Sequence, residues 1–218
     1  MEKLDFYSYY RSSSAYRVRI ALHLKNVPHR YHAVHLLENG GEQNQNSYQT
    51  INPMAEVPAI IHNGFTLTQS MAILMYLDDC FPEPRLFSAE PQARAKMVQI
   101  CETINSGIQP LQNLRVLQEL DKRFGVGQTG KDAWLQHWIS RGFKGLEKML
   151  QQTAGTYSFA GHLSAVDCFL VPQMFVAKRF NIDMNPYPTL NRINENCLRH
   201  EAVQKAHPDC QPDTPRPQ

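Results

Sequence analysis

The sequence predicts an α/β domain over residues 1–81, followed by an all-helical domain over residues 92–218. Three observations support this division. The first part alternates short apolar strands with amphipathic helices, in the order β-α-β-(loop)-β-β-α. The dipeptide Asn63-Gly64 separates two apolar runs, which is the strongest short-range signal of a hairpin. Residues 82–91 contain three prolines and read as a linker, after which no strand pattern occurs.

Composition and charge exclude several classes of function. The 22 basic and 20 acidic residues give a net charge of +2 and are interspersed, so nothing favours binding to nucleic acid. The five cysteines are widely spaced without a C-x-x-C pair, which indicates reduced thiols and no metal site. No apolar run reaches the roughly 18 residues of a membrane span, and the polar N-terminus is not a signal peptide. These features predict a cytoplasmic protein.

The first strand, helix and second strand form a β-α-β unit. Residues 4–9 alternate apolar and polar side chains and are rich in aromatics, as a half-buried strand is. A helix is predicted over residues 14–25, with Arg17 and Arg19 lying off its apolar stripe. Residues 31–36 are the second strand, which the handedness of such units makes parallel to the first.

The second half of this domain contains a loop and a hairpin. Residues 38–52 are polar and are predicted to be a loop with at most a short helix. Val57-Pro58 then precedes an apolar strand over residues 59–62, and a trans bond is expected because only about 5% of X-Pro bonds are cis. The hairpin returns as an antiparallel strand over residues 65–68. The next helix opens at Gln69-Ser70.

The second domain shows helical patterns alone. Helices are predicted over residues 92–120, interrupted near Gly107 and Pro110, and over residues 132–150, 164–180 and 190–206. Ser164 and Asp167 resemble a capping box, which is a folding signal rather than a site. The apolar run around Pro172 indicates a central, buried helix bent by the proline. Residues 208–218 have no core-forming pattern.

Two helix starts are candidate anion sites. Ser12, Ser13 and Ser14 open the first helix, where unpaired N–H groups and the positive end of the macrodipole attract negative charge. A thiolate bound there would have a lowered pKa and become a usable nucleophile. Gln69-Ser70 opens another helix in the same way. For both positions the alternative is an ordinary N-cap that binds nothing.

Several motifs, in the same order along the chain, resemble a known family. The order of elements, Val57-Pro58 before the third strand, Gln69-Ser70 and the Ser164–Asp167 box resemble the cytosolic glutathione transferases, whose first domain is thioredoxin-like. Four further segments resemble the zeta class, which includes maleylacetoacetate isomerase. They are residues 11–22, Asn52-Pro53-Met54, residues 107–113, and the tail from His207 to Pro215. The resemblance covers essentially the whole chain and implies the complete glutathione transferase fold.

The resemblance also implies a glutathione site and a substrate clamp. Ser12, with Ser13 and Ser14, matches the family's catalytic turn beside the glutathione sulfur. The residues implied to contact glutathione are Ser12, Ser13, Ser14, Ala15, Tyr16, Arg17, Gln43, Val57, Gln69, Ser70, Asn113, Leu114 and Arg115. Arg11, Gln109 and Arg179 match positions proposed to hold substrate carboxylates, for which the planar guanidinium is suited. For these arginines the alternative is a solvated or structural ion pair.

Ser14 departs from the family pattern. Many zeta-class members have Ser-Ser-Cys where this chain has Ser12-Ser13-Ser14, so the turn provides no enzyme thiol and Ser14 keeps a supporting role. The reaction implied by the family needs only the sulfur of glutathione. The thiolate adds to a cis double bond, the resulting single bond rotates, and elimination restores the double bond as trans.

The resemblance therefore implies a glutathione-dependent isomerase of tyrosine and phenylalanine breakdown. Its substrate would be maleylacetoacetate, a small dicarboxylate, its product fumarylacetoacetate, and the resemblance further implies a homodimer. Alternatives within the class are maleylpyruvate isomerase and a transferase acting on halogenated acids. From another class, the alternative is a non-catalytic scaffold that binds a protein partner such as RNA polymerase. Such a scaffold need not keep Ser12, Gln69 and Ser70.

Overall fold

The computed structural model describes residues 4–215, apart from the side chain of Asn39. It divides into two compact units. The first contains the residues up to Phe87 together with those from Leu198 onward, and the second contains Ser88–Cys197.

The first unit is built on a mixed sheet of four strands. These are β1 (Leu4–Ser8), β2 (Arg30–Ala33), β3 (Ala59–His62) and β4 (Phe65–Thr68), in the order β2-β1-β3-β4. β1 pairs in parallel with β2, whereas β3 is antiparallel to both β1 and β4. The predicted β-α-β unit and the hairpin at Asn63-Gly64 are therefore confirmed.

Nine helices lie within residues 4–215. They are α1 (Ser13–Leu24), α2 (Asn46–Gln49), α3 (Ser70–Cys80), α4 (Pro91–Asn105), α5 (Leu114–Phe124), α6 (Gly127–Thr153), α7 (Ala165–Arg179), α8 (Pro188–Leu198) and α9 (Glu201–Ala206). Short 3-10 turns occupy 38–40, 42–44, 109–112 and 208–210. The polar stretch that was predicted to be a loop thus contains two such turns and the short helix α2.

Helix α1 is buried on every side along its central part. All residues from Ala15 to Leu22 are buried, including Arg17 and Arg19, whose exposed fraction is 1% each. Both arginines lie off the apolar stripe, yet neither faces water, because α3 and α9 pack against the helix. Side chains with apolar stems and charged heads can be buried in this way when the heads find hydrogen-bond acceptors.

The second unit is helical, as predicted. Helix α4 packs against α6 and α7. The core of this unit includes the fully buried side chains of Ile100, Phe143, Leu170 and Ile193. Helix α7 continues through Pro172 and is buried nearly all round. The capping box at its start is confirmed, since the Ser164 and Asp167 side chains each accept the other's backbone N–H.

Two predictions about the C-terminal part are wrong. The single helix predicted over residues 190–206 is two helices, because the chain breaks before His200, whose Nδ1 accepts the N–H of Ala202 at 3.2 Å and caps α9. Residues from Leu198 onward were assigned to the helical domain, but they associate with the first unit. The physical reason is that α9 packs on α1 and that the tail is hydrogen-bonded to that unit.

The described residues show no membrane-spanning helix, no metal cluster and no disulfide. Within residues 4–215, no helix is long and apolar enough to cross a membrane, and no cluster of side chains is arranged to hold a metal. None of the five cysteines forms a disulfide.

Candidate functional site

The turn between β1 and α1 places Ser12 at the N-cap of the helix. The Ser12 N–H donates to the Tyr9 carbonyl at 3.0 Å, and the Ser12 Oγ accepts the N–H of Ala15 at 3.1 Å. The capping interpretation is therefore confirmed. A hydroxyl has one proton and two acceptor positions, and no described residue accepts the Ser12 proton. Capping and donation to an anion are compatible at this residue.

The first turn of α1 is electropositive. Ser13 and Ser14 are its first two residues, and their N–H groups have no acceptor among the described residues. The turn contains no acidic side chain that would neutralise the positive end of the helix dipole. An anion placed here would meet two N–H groups and the hydroxyl of Ser12.

Arg17 connects this turn to the start of α3. It is 1% exposed, and its Nη1 donates to the Oγ of Ser70 at 3.0 Å. Ser70 is itself buried and is the first residue of α3. The two helix N-termini are therefore fixed relative to one another by a buried cation. Ala15 and Tyr16 are buried beneath the turn, and their N–H groups bond to Ser12.

Gln69 is held in a conformation that is unfavourable for a residue with a side chain. Its φ is +69° and its ψ is +114°, which only glycine adopts at no cost. The ordinary-cap alternative is wrong here, because the exposed Gln69 side chain makes no capping bond. Strain of this kind costs about 1–3 kcal/mol and is concentrated at binding sites.

Val57 precedes a cis proline and presents unpaired main-chain groups. The Val57–Pro58 bond is cis, so the trans expectation drawn from the dipeptide is wrong. Among residues 4–215, no backbone hydrogen bond engages the N–H or C=O of Val57. The preceding carbonyl, of Glu56, accepts from Tyr48 Oη at 2.7 Å and from Asn52 Nδ2 at 2.6 Å. These two side chains fix the segment that carries Val57.

The side-chain amide of Gln43 lies where a side chain at position 41 would otherwise be. Its Nε2 donates to the carbonyl of Leu36 at 3.3 Å, while its buried Oε1 has no partner among the described residues. Gly41 has a φ of +88°, and a Cβ at that position would lie 2.5 Å from the Gln43 Nε2. Gly41 therefore allows both the turn and the position of the amide.

The comparisons with known proteins identify the family. Residues 2–79 match the model described as "Glutathione S-transferase, N-terminal domain". The chain is 47% identical to the maleylacetoacetate isomerase of Mus musculus, over 96% of this chain and 94% of that protein. The chain belongs to the zeta-class glutathione transferases. It shares with them the predicted fold, a thioredoxin-like α/β domain followed by helices.

Two solved structures extend this similarity. A bacterial maleylpyruvate isomerase, described as a zeta-class glutathione transferase, matches with a TM-score of 0.93 and 36% identity, covering 97% of this chain and 100% of that one. The maleylacetoacetate isomerase of Anaeromyxobacter dehalogenans matches with a TM-score of 0.87 and 40% identity, covering 99% of each chain. That structure contains dicarboxyethyl glutathione and citrate in its active site.

The remaining predicted site residues of this zeta-class transferase lie in the second unit, except Arg11, which directly precedes Ser12. Asn113 caps α5, its Oδ1 accepting the N–H of Arg115 at 3.2 Å, and Leu114 is exposed. Gln109 begins a 3-10 turn, and Arg179 is the exposed last residue of α7. The guanidinium carbon of Arg179 lies 5.1 Å from the centre of the Phe180 ring.

Sequence reasoning missed the residues that support the site. Asn52, which is 1% exposed, and Tyr48 hold the segment before Val57, and Gly41 makes room for Gln43. The only local signal at position 41 was the glycine itself, which is typical of a backbone with positive φ. In the second unit, Gln112 and Gln173 form a buried reciprocal amide pair, at 3.0 and 2.9 Å, which no spacing in the sequence indicates.

Proposed function

We propose that this protein is a glutathione-dependent cis–trans isomerase that converts maleylacetoacetate to fumarylacetoacetate in tyrosine and phenylalanine breakdown. The observation that carries the proposal is the dual role available to Ser12. Its Oγ accepts the capping bond from Ala15 while its proton points to no described acceptor, at the positive end of α1. A hydroxyl so placed stabilises a thiolate.

The residues of the first unit fit glutathione. An extended tripeptide needs main-chain partners, and the N–H and C=O of Val57 form no main-chain hydrogen bond within residues 4–215. Its thiolate needs donors, which the start of α1 supplies through Ser12, Ser13 and Ser14. Its γ-glutamyl carboxylate needs a second electropositive site, and α3 begins with Ser70 above the buried charge of Arg17. Gln43 and Gln69 add side-chain amides, each able to donate and accept.

The chain's own contribution to the reaction is electrostatic. When bound, glutathione supplies the nucleophilic sulfur that adds reversibly to the cis double bond and permits rotation. Ser12 donates its hydroxyl proton toward the negative sulfur, and the N–H groups of Ser13 and Ser14 lower the free energy of the same charge. Because the turn contains no cysteine, it supplies no enzyme thiol to the reaction. Ser14 supports the site through its N–H and hydroxyl.

The substrate class rests on the three residues that the resemblance assigns to the substrate carboxylates. We infer that Arg11, Gln109 and Arg179 hold the two carboxylates of the substrate, since a guanidinium pairs with a carboxylate through two parallel hydrogen bonds. The dicarboxyethyl glutathione bound by the Anaeromyxobacter relative is consistent with a dicarboxylate partner. Maleylpyruvate is the second candidate substrate, because the bacterial relative that matches with a TM-score of 0.93 is named as a maleylpyruvate isomerase.

The direct test measures isomerisation with and without glutathione. The purified protein is given maleylacetoacetate and, separately, maleylpyruvate, and the disappearance of the cis isomer is followed. We expect turnover of maleylacetoacetate that depends strictly on glutathione and exceeds that of maleylpyruvate. Turnover without glutathione, or none with it, would exclude the proposal.

Substituting Arg179 by methionine separates substrate binding from glutathione binding. We expect the KM for the dicarboxylate to rise at least about tenfold, because a charge-assisted hydrogen bond is worth roughly 1.5–3 kcal/mol. The KM for glutathione should stay within about twofold. Arg141→Met is the control, since Arg141 also lies over an adjacent ring, 5.4 Å from that of Trp138. A raised glutathione KM with an unchanged substrate KM would remove Arg179 from the clamp.

Substituting Gln69 by glycine should stabilise the fold and weaken the binding of glutathione. Relief of the φ of +69° should raise the free energy of unfolding by about 1 kcal/mol, while loss of the exposed amide raises the KM for glutathione. Asn26→Gly is the control, because Asn26 has a φ of +51° outside the site and asparagine tolerates this region. Its glutathione KM should be unchanged. A Gln69→Gly variant that binds glutathione as tightly as the parent would show that the strain serves no ligand.

The homodimer implied by the resemblance and the cytoplasmic location predicted from the sequence are part of the same proposal. The chain has a mass of 25.0 kDa, so sedimentation should give about twice this value for a dimer. A single species at the mass of one chain, across micromolar concentrations, would contradict the dimer.

A further inference from the structure

The C-terminal tail folds back onto the first unit and is anchored there. After α9, the Nε2 of Gln211 donates to the carbonyls of Lys205 and His207, at 3.0 and 2.8 Å. This brings Asp213 to the turn after β1 and to β2, although 203 residues of sequence separate it from Tyr10 and 182 from Tyr31. The tail, which has no core-forming pattern, is therefore a defined part of this unit.

Asp213 accepts one hydrogen bond from the catalytic turn and one from β2. Its Oδ2 accepts the backbone N–H of Tyr10 at 2.9 Å, and its Oδ1 accepts the hydroxyl of Tyr31 at 2.7 Å. Tyr10 lies two residues before Ser12. The carboxylate thus bonds directly to the turn that sets the position of the serine hydroxyl.

Arg19 binds the same turn from α1. Its Nη2 donates to the carbonyl of Tyr10 at 2.9 Å and its Nη1 to the carbonyl of Tyr9 at 3.3 Å. The Tyr9 carbonyl also accepts the N–H of Ser12. Both main-chain polar groups of Tyr10 are therefore hydrogen-bonded, its N–H to Asp213 and its C=O to Arg19.

Arg19 stays charged although it is buried. Burial lowers the pKa of Arg19 to about 10, which leaves it charged at neutral pH, and Tyr31, Tyr16 and then Asp213 oppose that decrease. The Nε of Arg19 donates to the carbonyl of Ala206 at 2.9 Å, so the arginine also holds the end of α9. Removal of Asp213 would leave the Tyr10 N–H without its acceptor and a buried cation without its nearby carboxylate.

We propose that Asp213 is a positioning residue of the glutathione site, which acts through Tyr10 to hold Ser12 in the geometry that stabilises the thiolate. This inference rests on the proposed function. The carboxylate of Asp213 holds the turn in place, and the turn positions the hydroxyl of Ser12. The hydroxyl then lowers the pKa of the thiol of bound glutathione. Displacement of a positioned group by about 1 Å can cost up to roughly 100-fold in rate.

The test measures the pKa of the thiol of bound glutathione, from the pH dependence of thiolate absorbance in the ultraviolet. In Asp213→Ala we expect this pKa to rise by about one unit and kcat/KM at neutral pH to fall about tenfold. Asp209→Ala is the matched control, because Asp209 lies in the same tail with its side chain 77% exposed. Its thiol pKa should equal that of the parent.

A second variant separates positioning from general stability. Tyr31→Phe removes the other hydrogen bond of Asp213 but leaves the bond to Tyr10, so it should lower the melting temperature without moving the thiol pKa. Equal shifts in Tyr31→Phe and Asp213→Ala, or no shift in Asp213→Ala, would overturn the inference. If Asp213→Ala does not fold, Asp213→Asn replaces it. It should show a smaller shift in the same direction, and no shift there would equally overturn the inference.

The measurement distinguishes this inference from the proposed function, because it uses glutathione alone. A parent protein that ionises glutathione but isomerises no dicarboxylate would contradict the proposed function, while the shift in Asp213→Ala would still decide the positioning role. A parent that does not lower the thiol pKa would overturn both.

Discussion

Substituting Ser12 by alanine is expected to lower turnover by about 100-fold or more, because removal of one preorganised donor to a developing or bound anion typically costs 10²–10³ in kcat. The fold should persist, since loss of an N-cap costs about 1 kcal/mol, a small part of the stability of a domain. The measurement is kcat for the isomerisation at saturating glutathione, with circular dichroism as the check on folding.

Two further variants at Ser12 separate its roles as cap and as donor. Glycine is nearly as good a cap as serine, so Ser12→Gly should be about as stable as the parent and about as inactive as Ser12→Ala. Threonine keeps both the hydroxyl and the capping oxygen, so Ser12→Thr should regain part of the activity. An alanine variant within about twofold of the parent rate would remove Ser12 from the mechanism.

The order of elements was predictable because it depends on local patterns. The hairpin was predictable because Asn63, with a φ of +51°, and Gly64, with a φ of +87°, supply the two positive φ values that a tight hairpin turn needs. The cap at Ser12 was predictable because serine is a preferred N-cap. The break between α8 and α9 was not, because the capping residue is His200, whose ring nitrogen replaces the usual hydroxyl or carboxylate.

The charged supports of the site were not predictable because their partners are remote in sequence. Arg17 and Arg19 lie off the apolar stripe of α1, yet both are buried, and their acceptors at Ser70 and Ala206 lie 53 and 187 residues away. Asp213 lies in a segment without any apolar pattern. Hydrophobic periodicity indicates which apolar residues are buried, but it does not indicate which polar groups are hydrogen-bonded in the interior. Predictions from periodicity therefore fail at buried charges.

The strongest effect on stability is expected at Asp167, at the start of α7. This residue is fully buried, and its Oδ2 accepts the N–H and the hydroxyl of Ser164 at 2.8 and 2.9 Å. Its Oδ1 accepts the N–H of Ser158 at 2.8 Å, which ties the preceding loop to the helix. Burial raises the pKa of Asp167, and these hydrogen bonds from the two serines oppose the rise.

Substituting Asp167 by alanine would leave two backbone N–H groups and a hydroxyl buried without an acceptor. Each such group costs about 1–3 kcal/mol, so the sum approaches the whole stability of a typical domain. We expect the variant to be largely unfolded, or to lose more than about 3 kcal/mol by urea denaturation. Asp167→Asn should fall between it and the parent, because an amide keeps the shape and one acceptor.

Glu90→Ala is the matched control for the buried cap. Glu90 caps α4 in the same unit and also accepts two backbone N–H groups, those of Gln92 and Ala93 at 2.9 and 2.6 Å, but it is exposed. Water can replace the carboxylate of Glu90. The decrease in the free energy of unfolding should therefore be much smaller in Glu90→Ala than in Asp167→Ala. If the two alanine variants unfolded at the same urea concentration, burial would not be what makes the Asp167 box important, and the folding of the second unit would need another explanation.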